Sequence, residues 1–235
     1  MESGYTVAYD GFGLRIYDIM VHWWNDNYVW RCPSSFLNEF FSANVGQRHL
    51  DIGVGTGYFP AHHRQRVMQK GESWPQHLTL VDMNTLCLER SAARVGCPER
   101  TTTIQADVFE PIKVPAADGA GPGTTASRKY DSISLMYLLH CLPPPCARKA
   151  TVFAHLKEHL KPDGTLFGAT ILGQRVEHNW FGKITMGLYN YKGIFGNSGD
   201  DPEVFKKELM NEFDDVDAWV VGAVLVFRAR KPKLT

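Results

Sequence analysis

The sequence predicts an α/β domain built around a mostly parallel sheet. Beyond about residue 47, short runs rich in apolar and β-branched residues alternate with stretches of helical periodicity, which is the pattern of β-α-β units. A glycine-rich turn directly follows the first run, and an aspartate stands at or near the end of each of the first three. Because the chain has 235 residues, 44% of them hydrophobic, we predict a single domain over residues 1–235.

The predicted elements follow in order along the chain. Strands are expected where apolar or β-branched residues cluster, at residues 48–52, 78–81, 102–105, 132–135, 165–171 and 220–229. Helices are expected over residues 84–95 and 147–160, the second ended by Lys161-Pro162-Asp163-Gly164. A closing helix is expected over residues 201–213, where Asp201 can cap the helix and Pro202 occupies its first position.

Three regions are distinguished within the domain. Residues 1–46 are far more aromatic than the chain average of 12%, which predicts helices that pack on the sheet, a lid over a binding site, or both. Residues 47–173 form the predicted ligand-binding core. Residues 174–235 are predicted to hold a substrate-side insertion and then the closing helix and strand.

Composition excludes several classes of partner and site. Lys and Arg number 25 and so do Asp and Glu, so no basic surface for a nucleic acid is expected. The five cysteines show no C-x-x-C pairing, which favours reduced thiols in the cytoplasm. The N-terminus lacks the features of a signal peptide and no apolar run is long enough for a bilayer, so no membrane partner is expected. The adjacent His62 and His63 would point in different directions on a helix, and His155 and His159, with Glu158 between them, lack a third ligand. No metal is therefore expected.

The turn after the first strand carries the most specific signal, in the run Leu50-Asp51-Ile52-Gly53-Val54-Gly55-Thr56-Gly57. Glycines there let the backbone turn sharply and approach a ligand closely. In a dinucleotide fingerprint the third glycine would stand at position 58, but it stands one residue earlier, at Gly57. Asp51 would repel a pyrophosphate and suits a cationic ligand. The alternative is a glycine-rich turn without a ligand.

Two more carboxylates follow predicted strands. Asp82 ends the second strand, where an acidic side chain can accept both hydroxyls of a ribose. Asp107 follows the third strand, where it can accept from the amino group of an adenine flanked by Met83 and Val108. Each aspartate alone would more often be a cap or a loop residue. Because the carboxyl ends of parallel strands share one edge of a sheet, three such groups together favour a nucleoside site.

These motifs, taken in order, resemble those of class I S-adenosylmethionine-dependent methyltransferases: LDIGVGTGYFP, VDMN, QADVFEP, DSISLMYLLHCLP and LKPDGTLFGATIL. The segment YDIMVHWWNDNYVWRCP is similar to small-molecule methyltransferases of fungal secondary metabolism. The resemblance implies a Rossmann-like seven-stranded sheet with the last strand antiparallel, helices on both faces and an aromatic-rich N-terminal helical lid. It also implies S-adenosyl-L-methionine as cofactor and S-adenosyl-L-homocysteine as product, bound along Asp51, Gly53, Gly55, Gly57, Asp82, Met83, Asp107, Val108, Met136 and Tyr137.

Catalysis and substrate binding are assigned less specifically. His140 is the leading candidate for a general base, with a structural histidine as the equal alternative, and His22 is the second candidate. Tyr17, Trp23, Trp30 and Trp180 are expected to wall an apolar substrate pocket, although core packing is the common fate of such residues. The turn Leu135-Met136-Tyr137-Leu138 lacks the Asn/Asp-Pro-Pro-aromatic pattern of enzymes that methylate base amines.

The expected function is therefore methyl transfer to a small, largely apolar molecule, with a secondary metabolite as the expected substrate. The expected state is a monomer or homodimer. A cyclase or pericyclase that binds the same cofactor and rearranges its substrate without methyl transfer is the alternative. A non-catalytic partner subunit would be expected to lack Asp51 or Asp82, and this chain has both.

Overall fold

The computed structural model describes residues 28–72, 74–114 and 129–233. Within them, seven strands form one sheet: β1 (Arg48–Ile52), β2 (His77–Asp82), β3 (Thr101–Gln105), β4 (Tyr130–Met136), β5 (Leu160–Ile171), β6 (Phe213–Val221) and β7 (Val224–Pro232). Their order is β3-β2-β1-β4-β5-β7-β6. Strands β1 to β5 pair in parallel, and β7 runs antiparallel to both of its neighbours. The seven-stranded sheet with an antiparallel last strand is confirmed.

Helices cover both faces of this sheet: α1 (Ser34–Asn44), α2 (Tyr58–Lys70), α3 (Thr85–Val95), α4 (Cys146–Ala150), α5 (Val152–Lys157), α6 (Trp180–Tyr191) and α7 (Pro202–Glu212). Alternate strand residues point to opposite faces, so Leu166 and Phe167 belong to different hydrophobic clusters. The cluster with Leu166 includes side chains of α4, α5 and α7, and the cluster with Phe167 includes side chains of α1, α2 and α6. The core is thus two layers separated by a buried sheet.

The strand predicted over residues 220–229 is wrong as a single element. A turn at Gly222 and Ala223 divides the region into β6 and β7, which form an antiparallel hairpin. Strand β6 was not predicted, because it contains several aspartates, a residue type that is depleted in strands. In the structure Asp217 accepts from Arg228 across the hairpin and Asp215 pairs with Arg230, so these charges lie on a half-exposed edge strand.

The helix predicted over residues 147–160 is also shorter and divided. It consists of α4 and α5, with Thr151 between them, and it ends at Lys157. Leu160 already pairs with Tyr130, so the Lys161-Pro162-Asp163-Gly164 turn lies inside β5 rather than before it. The other predicted helices are confirmed within a residue or two: Asn84 caps α3 through the N–H of Leu86, and Asp201 caps α7 through that of Glu203.

Several expectations fall on undescribed residues. Tyr17, His22, Trp23 and most of the predicted lid lie outside the described residues, so they remain predictions. The part of the first region that is described, residues 28–46, contains α1 and the loop before it. Among the described helices, none combines the length and apolar character needed to cross a membrane.

Candidate functional site at the carboxyl edge of the sheet

The loop between β1 and α2 crosses the carboxyl edge of the sheet and bonds to the neighbouring strand. The backbone N–H groups of Gly53 and Val54 both donate to the carbonyl oxygen of Val81, at 2.8 and 3.2 Å. Gly57 has a φ of +71°, and a Cβ there would lie 2.8 Å from the Cα of Ser91 in α3. At Gly55 a Cβ would meet nothing within 4 Å, so this part of the loop faces open space. Glycine at position 57 therefore serves helix packing, while the loop at Gly55 faces the site.

Asp82 fastens the glycine loop to the end of β2. One carboxylate oxygen accepts from the N–H of Gly55 at 3.0 Å, and the other accepts from the N–H of Asn84 at 2.9 Å. Burial raises the pKa of this carboxyl, and the hydrogen bonds from the backbone oppose the rise. Each carboxylate oxygen can accept more than one hydrogen bond, so Asp82 retains capacity for a ligand's hydroxyls.

Asp51 lies below the loop rather than on its surface. Its side chain is buried and accepts from the hydroxyl of Ser134 at 2.5 Å, and Ser134 also lies 3.0 Å from a ring nitrogen of His49. Burial raises the pKa of Asp51 to about 7. The buried row of His49, Ser134 and Asp51 thus supports the loop from beneath, and a positive ligand above it would favour the ionised carboxylate.

A cleft opens beside this loop, and about 610 Å³ of space within it and at its open mouth is free of protein atoms. Part of its lining is the glycine loop and the start of α2, and much of the rest is aromatic. The cleft, a name used below for this set, is lined by Trp30, Gly53, Val54, Gly55, Thr56, Tyr58, Phe59, Met136, Tyr137, His140, Ile171, Tyr189 and Phe195. A mainly apolar cavity with few polar groups at a topological switch point is typical of small-molecule sites.

His140 is the one histidine among the cleft-lining residues that the structure describes. Its ring packs edge-on against Phe195, with centroids 4.5 Å apart, and against Tyr137 at 5.5 Å. The Nδ1 atom lies 3.5 Å from both the N–H of Ile171 and the hydroxyl of Thr170. Burial, with the charge of Lys149 as a smaller cause, lowers the pKa of His140 to about 3. The imidazole is therefore neutral at physiological pH.

Tyr137 occupies an unusual backbone conformation where β4 ends. Its φ is +62°, which is costly for a bulky residue, and its N–H donates to the carbonyl oxygen of Ala169 at 2.8 Å. Together with Met136 it lines the cleft. Strained residues of this kind concentrate at ligand sites.

Four other predicted site residues do not line the cleft, whereas Trp30 does. Asp107 accepts from the N–H of Phe109 at 2.9 Å and is half-buried beside β3, Met83 is exposed, and Val108 packs in the core with Ile112. None of these three lines the cleft. Trp180 is 67% exposed on the outer side of α6 and does not line it either. Trp30 does line the cleft, and its side chain is buried.

Sequence reasoning missed part of the aromatic wall. Phe195 stands in the irregular stretch after α6, where no periodicity or motif marks it, and only the packing against His140 reveals its place. Tyr58 and Phe59 follow the glycine turn within the quoted motif, so their proximity to the loop was available as a signal. In the described ranges, no three His, Cys, Asp or Glu side chains are grouped so as to hold a metal ion.

Comparison with known proteins identifies the family. Residues 26–199 match a family described as a methyltransferase domain. The chain belongs to this family. A methyltransferase named verB from Penicillium polonicum is 46% identical over 229 residues, which cover 95% of this chain and 96% of that protein. An O-methyltransferase named NEC2 from Pyricularia oryzae is 39% identical, covering 99% and 94% of the two chains.

Similarity in structure extends to more distant proteins. The N-methyltransferase NodS from Bradyrhizobium japonicum, solved in complex with S-adenosyl-L-homocysteine, superposes with a TM-score of 0.56 at 14% identity, covering 90% of this chain and 92% of that chain. The enzyme class predicted from the motifs is confirmed, as an S-adenosylmethionine-dependent methyltransferase with relatives in Penicillium polonicum and Pyricularia oryzae. The cleft is the candidate active site of this methyltransferase.

Proposed function

We propose that the protein transfers a methyl group from S-adenosylmethionine to an oxygen atom of a small, largely apolar molecule. The observation that carries the proposal is the cleft itself, which is lined jointly by the glycine loop, several aromatic side chains and His140. The name of NEC2, an O-methyltransferase 39% identical to this chain, supports oxygen as the acceptor. The balanced charge of the chain, with 25 Lys and Arg and 25 Asp and Glu, favours an uncharged acceptor over a polyanion.

The cofactor contacts follow from the donors and acceptors at the sheet edge. Asp82, already fixed by two backbone N–H groups, would accept the ribose hydroxyls with its remaining lone pairs. Gly53 and Gly55 would face the methionyl part, and the carboxylate of Asp51 beneath them would favour its positive charge. Asp107 with Met83 and Val108 would border the adenine. S-adenosylmethionine supplies an electrophilic methyl group when bound.

The protein's part in the reaction is mostly alignment. Aromatic side chains of the cleft exclude water and hold a flat apolar substrate against the loop, and their faces attract a positive sulfur. Because the N–H of Ile171 points at Nδ1 of His140, the neutral ring favours the tautomer with its proton on Nε2. A histidine whose pKa is about 3 accepts a full proton weakly, so we assign His140 to orienting the substrate's hydroxyl group. The proton of that hydroxyl passes to solvent before methyl transfer, so the acceptor reacts as its oxyanion.

Two measurements test the proposal. Calorimetry with S-adenosylhomocysteine should show binding, and its absence in well-folded protein would contradict the cofactor assignment. Incubation of the protein with S-adenosylmethionine and a panel of phenols and enols should then give a product heavier by one methyl group, with a methoxy signal in the proton NMR spectrum. An isomer of unchanged mass would support the cyclase alternative instead, and an N-methyl or C-methyl signal would overturn the choice of oxygen.

A further inference from the structure

A buried ion pair lies directly behind the aromatic wall of the cleft. Lys149 of α4 and Asp200 have 0% and 1% of their side chains exposed, and their charged atoms are 2.7 Å apart. Burial lowers the pKa of Lys149 and raises that of Asp200, so each partner would be costly to keep charged without the other. Such pairs contribute little net stability compared with apolar side chains of similar volume. The pair is thus better explained by what it holds in place.

The pair anchors the loop that follows α6. Besides binding Asp200, the Nζ atom of Lys149 donates to the carbonyl oxygen of Gly196 at 2.9 Å. The carbonyl oxygen of Asp200 accepts from the N–H groups of Gly173 and Gln174, just beyond β5. Residues 196–200, called the anchor loop below, are therefore fixed at both ends by the same buried lysine.

The anchor loop in turn sets two sides of the cleft. The N–H of Gly196 donates to the carbonyl oxygen of His140 at 2.9 Å, and Phe195, the residue before it, packs its ring on that histidine. Asn197 donates through its side chain to the carbonyl oxygen of Ile171 at 3.0 Å. His140, Phe195 and Ile171 all line the cleft, whereas Lys149 and Asp200 do not.

We propose that Lys149 is a positioning residue for substrate binding: through Asp200 and the anchor loop it sets the placement of Phe195 and His140 in the cleft. This inference rests on the proposed function, because it concerns the wall assigned to the substrate. It adds a residue that no motif marked, from a helix on the opposite face of the sheet. A buried charge fixes direction and distance more narrowly than apolar packing does, which suits a loop with no secondary structure of its own.

The test replaces the pair without leaving an unpaired charge. In Lys149→Met/Asp200→Leu the loop loses its anchor while the volume is largely kept. The matched control is Lys157→Met/Glu212→Leu, which removes a second pair, 2.6 Å apart and 6% and 17% exposed, that joins α5 to α7 outside the cleft. The first readout is the NMR signal of the His140 ring in histidine-labelled protein, assigned with His140→Gln, because the ring of Phe195 shifts it.

We expect the Lys149→Met/Asp200→Leu protein to bind S-adenosylhomocysteine with unchanged affinity. The NMR signal of its His140 ring should move away from the wild-type position, because the ring of Phe195 no longer lies against it. With a substrate found in the panel above, KM should rise about tenfold while kcat changes little, because the misplaced wall weakens substrate binding. The control variant should leave signal and KM unchanged. Equal effects in both variants, or an unmoved His140 signal in the first, would overturn the proposal.

Lys149→Met alone keeps the proposal testable if the double variant does not fold. Removal of the lysine takes away the charge that holds down the pKa of the Asp200 carboxyl, so this group becomes neutral rather than an isolated buried anion. The His140 ring signal should move in this variant too. A signal at the wild-type position would contradict the positioning role of Lys149. If the wild-type protein did not bind S-adenosylhomocysteine, the proposed function would be contradicted instead. Failure of the proposed function can thus be distinguished from failure of the role assigned to Lys149.

Discussion

Asp82 illustrates how one side chain can serve both the fold and the ligand. Its carboxylate receives the N–H groups of Gly55 and Asn84, so it shapes the glycine loop before any ligand arrives. Its position at the end of β2 was predictable from the sequence, because a strand followed by Asp and then a helix cap is a local pattern. Its bond to Gly55 was not, since that contact depends on the register between β1 and β2.

Replacement of Asp82 by alanine should weaken S-adenosylhomocysteine binding by about tenfold to a hundredfold, as expected for the loss of hydrogen bonds to a charged group. Titration calorimetry measures the change. Asp163→Ala, at an exposed carboxylate within β5, is the control and should bind normally. Unchanged affinity in Asp82→Ala would contradict the ribose assignment.

His140 shows the limit of motif reasoning at this scale. The sequence predicted its place just beyond β4, and the structure places it in the cleft. Its charge is set by burial and by the neighbouring Lys149, and neither of these causes is visible in a motif. The residues that surround it come from α4, β5 and the stretch after α6. Only the folded chain brings these three segments together.

His140→Ala should lower kcat/KM by about tenfold to a hundredfold, because the substrate's hydroxyl loses the group that orients it. Binding of S-adenosylhomocysteine should stay within about twofold of the wild type, since no cofactor contact is assigned to this ring. Steady-state kinetics and calorimetry on the same preparation measure both. Full activity of the variant would assign His140 to packing alone.

At the scale of elements, the β6–β7 hairpin does more than close the sheet. The N–H of Ala223 in its turn donates to the carbonyl oxygen of Trp30 at 2.8 Å, so the turn holds the segment that carries Trp30 into the cleft. The sequence predicted the alternation of strands and helices well, because apolar periodicity is local. It missed β6, since the charges of Asp215 and Asp217 become compatible with a strand only opposite Arg228 and Arg230.

Gly222→Ala should therefore impair substrate binding as well as stability. The φ of Gly222 is +60°, and a Cβ there would lie 2.2 Å from the carbonyl oxygen of Trp30, so the segment must move. The matched control is Gly71→Ala, at a φ of +67° with nothing within 4 Å of the added atom. Both variants carry similar backbone strain, and only the first should lower kcat/KM, by about tenfold. Equal kinetics in the two variants would contradict the assignment.

Across the whole molecule, buried histidines make stability depend on pH. Burial is the main cause that lowers the pKa of His49 to about 3, of His63 to about 4 and of His140 to about 3. In the unfolded chain these groups titrate near pH 6.5, so unfolding takes up protons below that pH and stability falls. The raised pKa values of Asp51 and Asp200 act in the opposite direction, because there the folded protein takes up the proton.

The contribution of one histidine can be isolated with His49→Gln. Between pH 7.5 and pH 5.0 the wild type should lose about 2 kcal/mol of unfolding free energy that the variant does not lose, since about 1.4 kcal/mol accompanies each pH unit below 6.5. Urea unfolding at the two pH values gives the difference. His155→Gln, at an exposed position, should follow the wild type. Parallel pH dependences of His49→Gln and wild type would show that His49 is not neutral in the folded protein.

The bond between Trp30 and Ala223 also bears on how the enzyme is made in the cell. Trp30 precedes the glycine loop along the chain and Ala223 follows β1 to β6, so the loop and its neighbouring strands can form before Trp30 is held in place. A nascent chain cut short ahead of the final hairpin would still contain the whole loop that faces the methyl donor. It would lack the turn that holds Trp30 at the cleft, so the hairpin has to be synthesised before the substrate side of the cleft is complete.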